Sequence, residues 1–241
     1  MRRFFSPPEL ILNGMIELGL QETRHLRDVL RLRVGDDVSI FDGLGNEYLC
    51  GIEGISKRSA VLTVIREIEP ASPESPLDIT VAASILPGEK FEITVQKAVE
   101  LGVYRLQPLY TIRCEVKPGG STRRTERWRK IAVESAKQSG RARLMEIMEP
   151  VELGEFFKRA ASADGSKIFF SERDGTDFSA IKADTKITTV FGPKGGWDDA
   201  ELEAARAAGF TLVTFGGRIM RAETAAIAMT AILQHRFGDL C

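Results

Sequence analysis

From Ile79 onward, short apolar runs alternate with amphipathic segments, and that grammar leaves few folds open. "ITVAASIL", "RLQPLY", "KIFFSE", "KITTVFG" and "FTLVTFG" read as buried strands. "EKFEITVQKAVELG", "RRTERWRKIAVESAKQSGR", "ELGEFFKRAASA", "DDAELEAARAAG" and "AETAAIAMTAILQHRFG" read as helices. Gly102 closes the first of these helices at the C′ position, where a left-handed residue ends the hydrogen-bond ladder. Strands alternating with helices predict an α/β domain, a parallel sheet covered by helices on both faces.

The preceding segment reads differently. "DDVSIFDGLGNEYLCGIEGISKRSAVLTVIREI" alternates β-rich runs with Gly and Asn turns, which predicts a small antiparallel barrel. A short helix around Thr23 to Leu32 interrupts it. "EIEPASPESPLDI", Glu67 to Ile79, packs three prolines and two serines into a linker. Two domains are therefore expected, at residues 1–70 and 77–241. With 43% hydrophobic residues, the 241-residue chain can bury a core for both. No stretch approaches the ~18 apolar residues of a membrane span. "MRRFFSPPEL" lacks the apolar core of a signal peptide. Cys50, Cys114 and Cys241 form neither a metal-like pair nor a disulfide framework, and His25 and His235 are the only histidines. That pattern argues against a bound metal and for a reduced, cytoplasmic protein.

"VFGPKGGWDDAELEAARAAGFTLVTFGGRIMRAETAA", Val190 to Ala226, places two glycine turns after two successive strands. Gly192, Gly195 and Gly196 form the first turn; Gly216 and Gly217 form the second. Ligands of open parallel sheets bind beyond the carboxyl ends of strands. Such glycines either make tight turns and nothing more or admit a ligand, and a pair of turns favours the ligand. A helix N-terminus attracts anions, but Asp198 reads as an N-cap and Glu201 completes a capping box. Asp199 adds further negative charge. The spacing fits neither G-x-G-x-x-G nor the P-loop, and Lys194 lacks the following Ser or Thr. The turns therefore favour a ligand without phosphate that needs close approach of the backbone. S-adenosylmethionine satisfies these conditions without being singled out by them.

"FGPKGGWDDAE", "FGGRIMRAETAA", "QKAVELGV" and "ERWRKIAVESAKQSGR" resemble the motifs of the ribosomal RNA small-subunit methyltransferase E family, in the SPOUT superfamily. "RRFF" and "HLRDVLRLRVGDDVSIFDGLGNEY" are similar to it too, so the resemblance spans nearly the whole chain. It implies a SPOUT-type parallel-sheet domain with a C-terminal trefoil knot, which connection rules alone would have argued against. It further implies a PUA-like β-barrel for RNA, a homodimer, and S-adenosylmethionine bound in the knot. The implied reaction is methylation of N3 of one uridine, position 1498, in 16S rRNA of the small ribosomal subunit. The cofactor residues implied are Phe191, Gly192, Pro193, Gly195, Gly196, Phe215, Gly216, Ile219, Met220, Arg221, Thr224 and Ala225. Two departures stand out: Lys194 replaces the family's usual glutamate, and Met220 and Ala222 differ from its Leu-Arg-Thr-Glu-Thr-Ala pattern.

Removing the N3 proton leaves charge on the uracil carbonyl oxygens, which an arginine stabilises. Arg221, Arg113 and Arg141 are the candidates, each alternatively a salt-bridge or phosphate contact. Glu223 is either a general base or a structural partner of Arg221. For RNA, nine Lys or Arg against two acids lie between Lys117 and Arg143, in a chain of net charge -1. Arg123, Arg124 and Arg127 represent this patch. Arg24, Arg27 and Arg31 form a second set, spaced as one helical stripe with Leu26, Val29 and Leu30 on the buried side. Arg2 and Arg3 join them, and Asp28 or Glu22 would neutralise part of the stripe. Phe4, Phe5 and Trp128 either stack on bases or pack in the core. The last helix is apolar nearly all round from Ala225 to Leu233, so either its own sheet or a second subunit covers it. The competing readings are a methyltransferase for another RNA site or a ribose hydroxyl, a non-catalytic RNA-binding protein, and a nucleotide-dependent oxidoreductase. The last lacks the first-strand glycine fingerprint.

Overall fold

A computed structural model of the chain describes residues 2–240; Cys241 lies outside the described residues. Two compact units emerge. One is built on residues up to Glu74 together with Val133–Leu144, and the other on Ser75–Ala132 and the chain from Met145 onward.

The first unit contains β1 (Arg3–Phe5), β2 (Ile11–Leu12), β3 (Met15–Leu18), α1 (Leu20–Arg24), β4 (Asp37–Phe41), β5 (Glu47–Ile55) and β6 (Ala60–Ile68). The sheet order is β1-β4-β5-β6-β3-β2, antiparallel throughout except for the parallel β1–β4 pair. Phe4, Ile16, Leu18, Leu26, Val38, Ile40 and Leu62 fill its core. Phe4 is thus a packing residue, and His25 sets its ring edge against it at 5.9 Å. Burial pushes the Cys50 thiol up to about 12, so it behaves as a small apolar side chain.

The expected helix from Thr23 to Leu32 differs in a consequential way. After α1 the chain widens into a π-helical turn at His25–Val29, with Leu30 N–H donating to His25 O at 3.0 Å. Arg31 then takes the left-handed conformation, φ 55°, and leaves the helix. The extra residue in the wide turn breaks the 3.6-residue register. Arg24, Arg27 and Arg31 therefore do not form one helical stripe, and Val29 is 69% exposed rather than buried. Arg27 is engaged by Asp28 at 2.6 Å and donates to Ser56 O.

Val133–Leu144 is held to the first unit by buried ionic contacts. Arg3 makes a two-pronged contact with Glu47, at 2.9 and 2.8 Å, and donates to Ala136 O, Lys137 O and Arg141 O. Arg141 pairs with Glu74 at 2.7 Å, and Lys137 with Glu22 at 2.7 Å. Arg3 is consequently a structural anchor rather than an RNA contact, because its donors are consumed inside the unit.

The second unit contains β7 (Asp78–Ser84), α2 (Lys90–Glu100), β8 (Arg105–Tyr110), α3 (Ser121–Ser139, whose last residues belong to the first unit), β9 (Glu146–Ile147), β10 (Val151–Glu152), α4 (Leu153–Ala161), β11 (Ser166–Phe170), β12 (Thr176–Asp177), β13 (Lys186–Phe191), α5 (Asp199–Ala207), β14 (Thr211–Thr214) and α6 (Ala222–Phe237). Its sheet is parallel, in the order β10-β8-β7-β13-β11-β14-β12, with β9 also on β8. Phe156 and Phe157 of α4, Leu202 and Ala205 of α5, and Phe169, Val190 and Leu212 of the strands share one buried cluster. Gly102 ends α2 at φ 73°, as its position foretold. The bare backbone there admits Gln234 of α6, whose Nε2 donates to Leu101 O at 2.8 Å.

The Arg3–Glu47 pair yields a stability prediction. Their side chains are only 9% and 3% exposed. Removing one partner of a buried pair costs about 3–5 kcal/mol. Arg3→Met should lower the unfolding free energy of the first unit by that order in urea titrations at pH 7; an unchanged midpoint would contradict it. Burial opposes the Glu47 charge, yet Arg3's hydrogen bond and charge, together with further hydrogen bonds that include the one from Ala71 N–H, hold the carboxyl below its ordinary value. Its contribution is therefore present above the ordinary carboxylate range and is lost as pH falls through the lower folded value.

Candidate active site

β13 and β14, the strands that end in glycine turns, are not neighbours: β11 lies between them. The two turns thus flank a third strand end, Phe170–Glu172, which carries no glycine signal of its own. Strand order is a tertiary property that periodicity does not encode. All three ends border a cavity of about 640 Å³, which Lys90 at the start of α2 and the segment leading into α6 also line.

Trp197 shapes the first turn. Its indole is buried, donates to Phe170 O at 2.8 Å and lies 4.3 Å from the Phe169 ring. A Cβ at Gly192 would come within 2.8 Å of that indole, so this position requires glycine for packing. Gly196 requires it for conformation, at φ 71°. Both glycines therefore have a structural cause, and the cavity is what the resulting turn leaves open.

The acidic cap is present as read. Asp198 Oδ1 accepts from Ala200 N–H, Glu201 Oε2 accepts from Asp198 N–H at 3.0 Å, and α5 begins with the complete capping box. Glu201 also accepts from Ile112 N–H at 2.8 Å, fastening the loop after β8 to the same turn. Arg113 reinforces this, donating to Gly195 O at 3.2 Å and pairing with Asp198 at 3.3 Å. Lys194 pairs with Glu115 at 3.3 Å.

Of the residues the resemblance implied for the cofactor, all but Thr224 border the cavity; Thr224 is exposed on α6. Among the four candidate catalytic residues, Arg221 and Glu223 border it, whereas Arg113 stands behind the first turn and Arg141 is buried against Glu74 in the other unit. Glu223 pairs with Lys90 at 3.7 Å and not with Arg221. Arg221 is exposed at the N-cap of α6, its carbonyl accepting from Ala225 N–H at 2.8 Å. Phe170, Ser171, Glu172, Trp197 and Lys90 also shape the site. Sequence reasoning missed them, and only the conserved logic of parallel sheets, that every strand's carboxyl end faces the ligand side, could have pointed to the first three.

The basic stretch on α3 is less free than its charge count. Arg124 donates to Tyr110 Oη at 3.0 Å and to Lys117 O, Arg127 pairs with Glu92 and Arg129 with Glu149. Trp128 is buried against Phe91 at 4.6 Å. Arg123 and Lys130 remain as exposed cations with no acidic partner among the described residues. No group of His, Cys, Asp or Glu suited to a metal ion occurs among the described residues. Nor is any described helix long and apolar enough to cross a membrane.

Residues 73–234 match the RNA methyltransferase domain, and residues 19–65 the RNA methyltransferase PUA domain. Ribosomal RNA small subunit methyltransferase E of Synechocystis sp. is 32% identical over 228 residues, covering 92% of this chain and 74% of its own. The Bacillus subtilis protein of that name is 30% identical, covering 88% and 87%. The crystal structure of ribosomal RNA small subunit methyltransferase E from Neisseria gonorrhoeae bound to S-adenosylmethionine superposes with a TM-score of 0.92 at 32% identity, over 100% of both chains. A Legionella pneumophila methyltransferase in complex with the same cofactor gives 0.91 at 30% identity, over 99% of both. With a PUA domain, a parallel-sheet methyltransferase domain and these relatives along its whole length, the chain belongs to the ribosomal RNA small subunit methyltransferase E family.

Proposed function

We propose that the protein methylates N3 of one uridine, position 1498, in the 16S rRNA of the small ribosomal subunit, using S-adenosylmethionine, in the cytoplasm. The observation that carries this reading is the cavity between two glycine turns beside an acid-capped helix. Its volume, about 640 Å³, lies within the range of small-molecule sites, about 300–1,000 Å³. The cap on α5 opposes phosphate, and the wall carries two carboxylates, Glu172 and Glu223, beside the cations Lys90, Lys194, Arg218 and Arg221. Phe191, Phe215 and Met229 offer apolar surface to a planar base. The backbone groups of Gly192–Gly196 and Phe215–Met220 would hold the cofactor, so Lys194 in place of the family's glutamate leaves those contacts intact. When bound, S-adenosylmethionine supplies an electrophilic methyl group on a sulfonium.

The chain's own task is alignment and charge. Holding N3 in line with the methyl group removes several kcal/mol from the barrier, up to roughly 7–11 in ideal cases. As N3 loses its proton and bonds to carbon, negative charge develops on the uracil oxygens. Arg221 faces the cavity with no acid partner among the described residues and is the donor for that charge. Glu223, kept beside Lys90, is the candidate acceptor of the N3 proton. Arg113 and Arg141 leave the catalytic set, since their guanidinium groups hold the first turn and Glu74.

RNA is bound through exposed cations that form no ion pair within 4 Å among the described residues: Arg2, Arg24 and Arg31 on the PUA-like unit and Arg123 on α3. The half-buried apolar residues Ile227, Ala228 and Ile232 of α6 support pairing with a second copy. The insertion of β13 between β7 and β11, with α6 following β14, supports a trefoil knot at the C-terminus.

Three measurements test this. In single-turnover methylation of small-subunit particles lacking the modification, wild type should place one methyl on uridine N3. Arg221→Ala should lose ~10²–10³ in rate without a lower melting temperature, and Arg221→Lys should recover little. If Glu223 takes the proton, the deficit of Glu223→Gln shrinks as pH rises and the uridine ionises unaided; a deficit independent of pH removes it as base. Methyl on a ribose hydroxyl, or none, refutes the reaction. For RNA, replacing Arg24, Arg31 and Arg123 by Ala should flatten the salt dependence of binding by about 1 in slope per lost phosphate contact; an unchanged slope assigns these side chains no RNA role. Sedimentation equilibrium should find a dimer, and a monomer at micromolar concentration would refute the pairing through α6.

A further inference from the structure

The two carboxylates on the cavity wall are not equivalent. Glu223 has Lys90 beside it. Glu172 follows β11, between the two glycine turns, and its one ion-pair partner among the described residues is Arg173, 3.7 Å away through Nε. That guanidinium already has closer partners: Asp199 at 2.7 Å, Trp197 O at 3.0 Å and Asp174 at 3.2 Å. The Glu172 side chain is 32% exposed, and no hydrogen-bond donor reaches it among the described residues. Oε1 lies against the bare backbone of the first turn, where a Cβ at Gly196 would come within 2.8 Å. Phe170, Phe191, Val213 and Met229 supply the neighbouring wall. A carboxylate on the cavity wall with no close cationic partner complements a cation.

We propose that Glu172 recognises the positive charge at the sulfur of the methyl donor and thereby separates donor from product. The inference rests on the S-adenosylmethionine reading above. In the transfer the S–CH₃ bond breaks with its electron pair staying on sulfur, the N3–CH₃ bond forms, and the N3 proton departs. The sulfonium cation becomes a neutral thioether. A carboxylate beside that atom attracts the donor and has no charge to hold in the product, so it sets the preference of the site for loaded over used cofactor.

Calorimetry on the full chain tests this with three probes: S-adenosylmethionine, S-adenosylhomocysteine, and sinefungin, whose amine puts a positive charge where the sulfonium methyl stands. Glu172→Gln should weaken S-adenosylmethionine and sinefungin about tenfold or more and leave S-adenosylhomocysteine nearly unchanged, as loss of a charged contact implies. Glu172→Asp, which keeps the charge, should keep the preference for the two cationic probes. An equal loss for all three probes assigns Glu172 to the ribose or the amino-acid end of the ligand and overturns the proposal. So do unchanged affinities, or a loss of binding that tracks a lower melting temperature in both variants. Absence of S-adenosylmethionine binding by wild type would instead refute the cofactor reading itself.

Discussion

The hydrogen bond from the Trp197 indole to Phe170 O is the contact on which the site depends. It ties the first glycine turn, which follows β13, to the end of β11, the strand beside it. With the capping box and Arg113 it sets the height of the turn above the sheet. The buried ring also dictates Gly192, since no side chain fits between the turn and the indole. A large aromatic residue in the core thus forces a bare backbone at the surface, and the bare backbone is what a ligand meets. Packing and binding share one cause here, which is why the glycines satisfy a structural and a functional reading together.

Electrostatics then narrows the ligand. The N-terminus of α5 would ordinarily attract an anion through its free amides. Asp198 and Glu201 occupy those amides from within the chain, and Glu201 extends the same arrangement to Ile112. Lys194, where the family usually carries glutamate, is an exposed side chain paired with an exposed Glu115. Such pairs contribute about 0–1 kcal/mol. The turn is held by Trp197, the capping box and Arg113, so inverting the charge at position 194 leaves its shape to stronger contacts.

Much of this was legible from the chain itself. Gly102 at the end of α2, Asp198 and Glu201 at the start of α5 and the strand–helix alternation are local features, fixed by residues close in sequence, and each was found where the pattern put it. Local patterns say nothing about which strand lies beside which, so the place of β11 between the two turns was not legible, and Glu172 could be reached only through the general rule for the carboxyl ends of parallel strands. They also count charges without their partners. Arg3, Arg124 and Arg141 read as candidates for RNA or catalysis, yet each guanidinium is drawn to a carboxylate, hydroxyl or carbonyl distant in sequence. The Arg24–Arg27–Arg31 stripe failed for a different reason. It assumed 3.6 residues per turn, and one wide turn at His25–Val29 moved Arg31 off the helix.

The central claim is that a methyl donor sits over the carboxyl ends of β13, β11 and β14. Hydrogen exchange followed by mass spectrometry, with and without saturating S-adenosylmethionine, addresses it directly. The account predicts slower exchange at the amides of residues 192–197 and 214–221, with little change in the strands of the PUA-like unit. Protection confined to that unit, or none at either glycine turn despite saturation, would contradict it.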